Sequence, residues 1–299
     1  MATSRRQFLQ TTGLLAAGIS GSMIATAAES NAKKRTIHKA IMYQTIGVKG
    51  SVLEKFQAVK EAGFEGIEPM GGMKQEEVLE ARDATGLKCP SVCCHSHWDK
   101  PLSDPNPAVR EAGLKGLQQS LRDAKAYGAT SVLLVPAVVS QKVSYGDAYS
   151  RSQAEIRKII PLAEELNVKI AIENVWNGFL LSPLEAARYV DEFNSPAVGW
   201  HFDIGNVINF GWPEQWIQVL GKRIQKLHIK EYSRKRRDKE GPGAGFGVKF
   251  LEGDNNWPVV MKALDEIGYN GWGIAEQGGG NSPEGLKDLS DRMDKIFAS

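Results

Sequence analysis

From residue 36 onward one alternation recurs: a short apolar, β-branched run, then a longer stretch with apolar residues at helical spacing. The short runs occupy 38–47, 66–70, 87–95, 130–136, 168–176, 198–206, 224–230 and 271–277. Between them, Val52, Phe56, Val59 and Ala62 share one helical face, as do Ile156, Ile159, Ile160, Leu162, Ala163 and Leu166. Apolar residues recurring at i, i+3, i+4 and i+7 mark an amphipathic helix. Gly63, Gly86, Gly128 and Asn167 stand just ahead of the next apolar run, where a left-handed residue ends a helix. Ser182-Pro183 and Ser282-Pro283 read as helix starts, an N-cap followed by proline in the first turn.

Strands that are apolar on both faces and alternate with helices predict a parallel sheet. Eight strand–helix units predict closure into a (β/α)₈ barrel, a fold of about 250 residues. The competing arrangement is an open doubly wound sheet, but no Gly-x-Gly-x-x-Gly follows the first strand to favour it. One connection is unusually long. It runs from Glu231 to Asn255, is rich in Gly, Lys and Arg, and follows the seventh strand, which predicts an irregular loop over the barrel mouth.

The first residues read differently. Ser4-Arg5-Arg6-Gln7-Phe8-Leu9, an apolar run over 13–24 and the small residues Ala25-Thr26-Ala27 form a twin-arginine export signal over 1–27. The apolar run is too short and too rich in small residues for a stable membrane span. A linker over 28–35 and a single catalytic domain over 36–299 complete the expected organisation, with a periplasmic or other extracytoplasmic destination. Twin-arginine export carries folded proteins, so a metal can be loaded beforehand.

The signal changes the charge balance. Of the 37 basic residues, Arg5 and Arg6 lie in the signal, which holds no acid, so the remainder balances the 35 acidic residues. Nucleic-acid binders carry a basic excess, and this domain has none. Cys89, Cys93 and Cys94 lie in one strand-like segment. An odd, crowded set is no disulfide framework, and the three read as core thiols.

Barrel active sites form where the strands end. Here four consecutive strands each close an apolar run with one metal-capable side chain: Glu173, Asp203, His228 and Glu276. A glutamate alone at a strand end is commonly a cap or a salt bridge. Four such residues at equivalent positions on strands about 4.8 Å apart converge on one ion. Three carboxylates and an imidazole suit one divalent cation, Mn²⁺, Mg²⁺ or Co²⁺, with Zn²⁺ also admissible. A metal chelated by a carbonyl and a neighbouring hydroxyl acidifies the C–H between them. Glu173 and Glu276 are then the pair that removes and returns a proton, and Lys230 stands where it can hold the charge of the enediolate.

The residues that carry this pattern resemble the sugar isomerase/epimerase superfamily with the xylose isomerase-like barrel. They are Gly63-Phe64-Glu65-Gly66-Ile67-Glu68, Ile172-Glu173-Asn174-Val175-Trp176-Asn177, Phe202-Asp203-Ile204-Gly205-Asn206, Leu227-His228-Ile229-Lys230-Glu231, Glu252-Gly253-Asp254, and Gly268-Tyr269-Asn270-Gly271-Trp272 leading to Glu276. The similarity spans nearly all of the chain after residue 36. It is specific for the superfamily and not for a substrate. It implies the same four metal ligands and the two glutamates as the acid/base pair. It also implies a substrate-binding arginine at Arg234. The ketose 3-epimerases of this superfamily carry a second glutamate six residues after the first, where this chain has Phe179. They carry a histidine three residues after the metal aspartate, where this chain has Asn206.

Further substrate contacts are expected from Glu68, His97 (or its neighbour His95), Trp176, Asn177, Asn206, Lys230 and Arg234, with Trp98 as a second ring for a sugar to stack on. His201 shares parity with Asp203 and is expected to point inward. The run Arg234-Lys235-Arg236-Arg237 reads as a solvated loop rather than a phosphate site. The leading function is isomerisation or epimerisation of a free sugar or keto-sugar. Two alternatives keep the barrel: an inosose- or dehydroshikimate-type dehydratase using the same metal, and a non-catalytic exported sugar-binding protein. A repair nuclease of the endonuclease IV branch would need a multi-zinc site, and the chain has only five histidines. The expected partner is a small sugar, with no nucleic acid and no stable membrane span; association into homo-oligomers is left open.

Overall fold

A computed structural model describes residues 35–299; the expected export signal and all but the last position of the linker lie outside the described residues. Eight parallel strands form the sheet: β1 (Ile37–Met42), β2 (Gly66–Glu68), β3 (Val92–Cys93), β4 (Ser131–Leu134), β5 (Lys169–Glu173), β6 (Val198–Asp203), β7 (Ile224–Ile229) and β8 (Gly271–Ala275). Their order is β2-β1-β8-β7-β6-β5-β4-β3. Two isolated parallel bridges, Gly66 with Lys88 and Met70 with Cys93, join the two ends and close the ring. The (β/α)₈ barrel expected from the alternation is the fold. The strands are shorter than the apolar runs. β3 keeps two residues of the run 87–95, because Pro90 has no N–H to give to a ladder.

The helices are α1 (Val52–Glu61), α2 (Gln75–Thr85), α3 (Pro107–Tyr127), α4 (Tyr145–Leu166), α5 (Pro183–Asp191), α6 (Gly205–Ile208), α7 (Pro213–Leu220), α8 (Arg234–Glu240), α9 (Trp257–Glu266) and α10 (Pro283–Phe297). Gly86, Gly128 and Asn167 cap α2, α3 and α4 with φ of 69°, 78° and 53°. Gly63 is left-handed too, one residue past the cap of α1. Ser182 and Ser282 cap α5 and α10 ahead of their prolines. The connection after β7 departs from the expected irregular loop. It holds α8, started by the Ser233 hydroxyl accepting the Arg236 N–H, and a 3₁₀ turn over Pro242–Phe246.

The strands separate two packed regions. Outward side chains such as Ile67, Val132, Ile172, Trp200, Phe202, Leu227 and Ile229 pack with the helices in one apolar layer. The inward apolar set is small: Ala40, Met42, Cys93, Leu133 and Ile274, backed by Met70 and Trp272. All three cysteines are free and buried, as core thiols should be. No helix among the described residues is long and apolar enough to cross a membrane.

Candidate metal and active site

Inward positions at the strand ends carry the expected cluster. Glu173 closes β5, Asp203 closes β6, His228 is the last inward residue of β7 and Glu276 is the first residue past β8. One ligand atom from each of the four lies within 4.8 Å of all the others. His228 Nδ1 is 3.1 Å from Glu173 Oε1, 3.0 Å from Glu276 Oε2 and 4.0 Å from Asp203 Oδ2. Glu173, Asp203 and His228 are buried, while Glu276 is partly open toward the mouth. Lys230 Nζ stands 3.0 Å from Glu276 Oε2 and 3.4 Å from Asp203 Oδ2.

Electrostatics show a pocket crowded with anions. Burial raises the Glu173 carboxyl above its ordinary range. Burial pushes Asp203 up to about 8, against the pull of Lys230. Burial would also raise Glu276, but Lys230 and then His228 hold it well below the usual range. His228 is raised well above the ordinary imidazole value despite its burial, chiefly by Glu68 and Glu276. Lys230 is likewise raised by Asp203 and Glu276. A divalent cation fits this donor set. Asp203 Oδ2 is buried with no hydrogen-bond partner, and a buried polar atom left unpaired calls for an explanation.

Asp203 is held from the backbone side. Its Oδ1 accepts the Asn206 N–H at 2.8 Å. Asn174 Oδ1 accepts the Asp203 N–H and the Trp200 indole N–H, and Asn174 Nδ2 donates to the Asp203 carbonyl. Asn174 was not among the expected site residues. Its position one past Glu173, turned away from the cluster, gave no sign of chemistry, but a polar residue at that buried strand end is itself a signal.

The remaining expected contacts fall into two groups. Lys230, His97 and Trp176 line the mouth. His97 Nδ1 accepts the Val135 N–H at 3.2 Å, which leaves Nε2 as its donor, and burial lowers its pKa to about 4. Trp176 donates its indole N–H to the Asn206 carbonyl and packs on Phe246 at 4.9 Å, and the Lys230 ammonium lies 4.9 Å from the Phe246 ring. Phe246 and Tyr232 complete an aromatic wall that was not expected, because Phe246 comes from the long connection.

The second group has polar atoms hydrogen-bonded within the protein. The Asn177 amide donates to the Ala137 carbonyl and accepts the Phe179 N–H. The Asn206 amide donates to the Asn174 carbonyl. Arg234 donates to the Ile208 and Gly211 carbonyls and stacks over Trp212 at 5.3 Å. Glu68 is fully buried beneath the cluster, where its Oε2 meets His228 Nε2 at 3.0 Å. His201 does point inward, with its ring centroid 4.2 Å from that of His228. Phe179 belongs to an aromatic cluster with Tyr145, Tyr149 and Tyr189. The basic run is a helix rather than a solvated loop, and Arg236 and Arg237 also donate to backbone carbonyls, of Gly247 and Asn209.

Two further residues fasten the long connection. Glu231 is buried and accepts N–H groups from Tyr232, Leu251 and Asn255 and from the Trp257 indole. Gln277 accepts the Glu231 N–H and donates to the Phe246 and Val248 carbonyls. Each follows a residue of the cluster or its neighbour by one position, so they anchor the aromatic wall to β7 and β8.

The profile of a family described as Xylose isomerase-like TIM barrel matches residues 56–296. The chain is 23% identical over 261 residues to an L-ribulose-5-phosphate 3-epimerase of Escherichia coli O1:K1, covering 82% of this chain and 89% of that one. Its fold is similar to that of 3-keto-D-glucoside 4-epimerase from E. coli, with a TM-score of 0.74 at 18% identity, over 88% of this chain and 100% of the other. The D-allulose 3-epimerase of Methylomonas sp. gives a TM-score of 0.72 at 15% identity, over 87% of this chain and 97% of the other.

Proposed function

The chain belongs to the xylose isomerase-like TIM barrel family, and from that premise we propose that it is a metal-dependent isomerase that epimerises or isomerises a sugar by proton transfer beside a carbonyl. One observation carries the reading: four ligand atoms from four consecutive strands meet within 4.8 Å at the barrel mouth. The neighbouring Lys230 adds a fixed positive charge. The relatives named above are, by name, epimerases of a pentulose phosphate, a keto-glucoside and a hexulose, which supports a sugar carbonyl as the reacting group.

A dication held by Glu173, Asp203, His228 and Glu276 would polarise the carbonyl and the adjacent hydroxyl, so that the C–H between them loses its proton more readily. Glu173, whose burial raises its proton affinity, is suited to taking that proton. Glu276, on the next but two strand, returns one. Delivery to the opposite face of the same carbon epimerises; delivery to the neighbouring carbon isomerises. Lys230 offsets the negative charge that develops on the enediolate oxygens. Trp176 and Phe246 exclude water, and His97 offers its Nε2–H to a hydroxyl. The guanidinium groups of Arg234, Arg236 and Arg237 are taken up by backbone carbonyls, so the basic run is not poised to grip a phosphate, and the substrate is a free sugar. The twin-arginine pattern of residues 4–9 supports a reaction outside the cytoplasm.

The test is incubation of the Mn²⁺-loaded protein in D₂O with free keto-sugars, their phosphates and inososes, read by NMR and mass. Deuterium at the carbon beside the carbonyl, without loss of water, is the expected result. Loss of water would make the protein a dehydratase. Tight metal binding with no exchange from any sugar would make it a binding protein.

A further inference from the structure

Beneath the metal cluster lies a second group, Glu68, His201 and His228, whose ligand-type atoms also approach within 4.8 Å of one another. Glu68 Oε2 is 3.0 Å from His228 Nε2, and Glu68 Oε1 is 4.0 Å from His201 Nδ1. All three side chains are essentially without solvent contact. Neither nitrogen of His201 nor Oε1 of Glu68 has a hydrogen-bond partner. Glu68 ends β2, and β2 is separated from β7 by β1 and β8. The Glu68–His228 contact therefore crosses the barrel interior rather than joining neighbouring strands.

Burying a carboxylate is costly unless it is paired, and the one close partner Glu68 has is His228. A neutral imidazole carries its single proton on one nitrogen and a lone pair on the other. When a cation displaces the Nδ1 proton, an Nε2–H directed at Glu68 would leave the Nδ1 lone pair to the ion beside Glu173, Asp203 and Glu276. His201 packs edge-on against the same ring, at an interplanar angle of 67°.

We propose that Glu68 is a positioning residue for the metal: it accepts the Nε2–H of His228 across the barrel and so fixes the tautomer and ring orientation that present Nδ1 to the ion. It does not touch the sugar. The proposal rests on the metal-dependent reading above. Carboxylate partners of ligating histidines commonly change metal affinity by about 10–100-fold when removed.

Mn²⁺ titration of the metal-free wild type, E68Q and E68L, followed by the EPR signal of free Mn²⁺, gives affinity and stoichiometry. The Co²⁺-loaded proteins give a second readout in proton NMR. A ligating histidine shows a strongly shifted ring N–H, and its exchange with solvent is slow when a buried acceptor holds it. The expected results are one Mn²⁺ per chain in the wild type, affinity about 10–100-fold weaker in E68L, and a smaller loss in E68Q, whose amide oxygen still accepts the N–H. The shifted N–H exchanges slowly in wild type and E68Q and rapidly in E68L. E68Q also guards the test if E68L does not fold. Wild-type affinity and slow exchange in both variants would overturn the positioning role. Two Mn²⁺ per wild-type chain with one lost on E68L would instead make Glu68 a ligand of a second ion. No Mn²⁺ binding by the wild type would remove the metal reading itself.

Discussion

Ile172 and Glu173 are neighbours on β5, both buried, and they face opposite ways. Ile172 joins Ile170, Trp200, Phe202 and Leu227 in the layer between barrel and helices, where each side chain is apolar. Glu173 joins His201, Asp203, His228 and Glu68 inside the barrel, where the apolar cluster is small: Ala40, Met42, Cys93, Leu133 and Ile274. Every apolar Å² buried in the outer layer contributes about 25 cal/mol, while each buried charge inside costs free energy until it is paired. The outer face of the sheet thus stabilises the fold, and the inner face spends part of that stability on holding polar groups out of water.

The sharpest way to break this contrast is to substitute the two neighbours. Glu173→Gln, and likewise Glu276→Gln, is expected to lower turnover by about 10²–10⁴-fold with the melting temperature of the metal-free protein unchanged or raised. Full turnover in either variant would end the two-base scheme. Ile172→Ala is expected to cost about 2–5 kcal/mol of stability, measured by urea unfolding, while the folded fraction keeps its activity.

How far each region was legible follows from the same contrast. The outer layer and the barrel showed themselves as period and caps, because apolar spacing and residues such as Gly86 and Asn167 report local geometry directly. The four-residue cluster was legible because its members stand at the ends of four consecutive strands. Glu68 was legible as the end of the second strand but its contact with His228 was not, since the approach of β2 to β7 across the interior is set by barrel closure. The internal partners of Arg234, Asn177 and Asn206 were not legible. The backbone carbonyls and N–H groups that engage them belong to turns that no sequence pattern announces.

A third expected effect sharpens the inner half of the comparison. In the metal-free protein Asp203 is raised to about 8 by burial, so its neutral form is favoured on folding. That contribution is complete below the usual carboxylate range and is lost as pH rises through about 8. The melting temperature of metal-free protein should therefore fall between about pH 4 and pH 8, and saturating Mn²⁺ should flatten the slope, since a ligand of the folded state stabilises it. Asp203→Asn should flatten it without metal; an unchanged slope in that variant would show that Asp203 does not set it. The smallest effect is expected from Arg234→Ala, which frees the Ile208 and Gly211 carbonyls. It should cost about 1–2 kcal/mol by thermal unfolding and leave KM and kcat of the folded enzyme nearly unchanged; a large rise in KM would return Arg234 to the substrate.

The ring closes on its thinnest stave. Between β2 and β3 the backbone is joined through Ile67, Lys88, Gly71 and Cys93 N–H groups alone, with Pro69 and Pro90 in the seam. Glu68 sits on that stave, so any local opening of the seam draws its carboxylate away from His228. If the cluster holds a cation, its release and the parting of this seam would be coupled, and a captured cation would act as a clasp, latching the staves where four N–H groups alone join them.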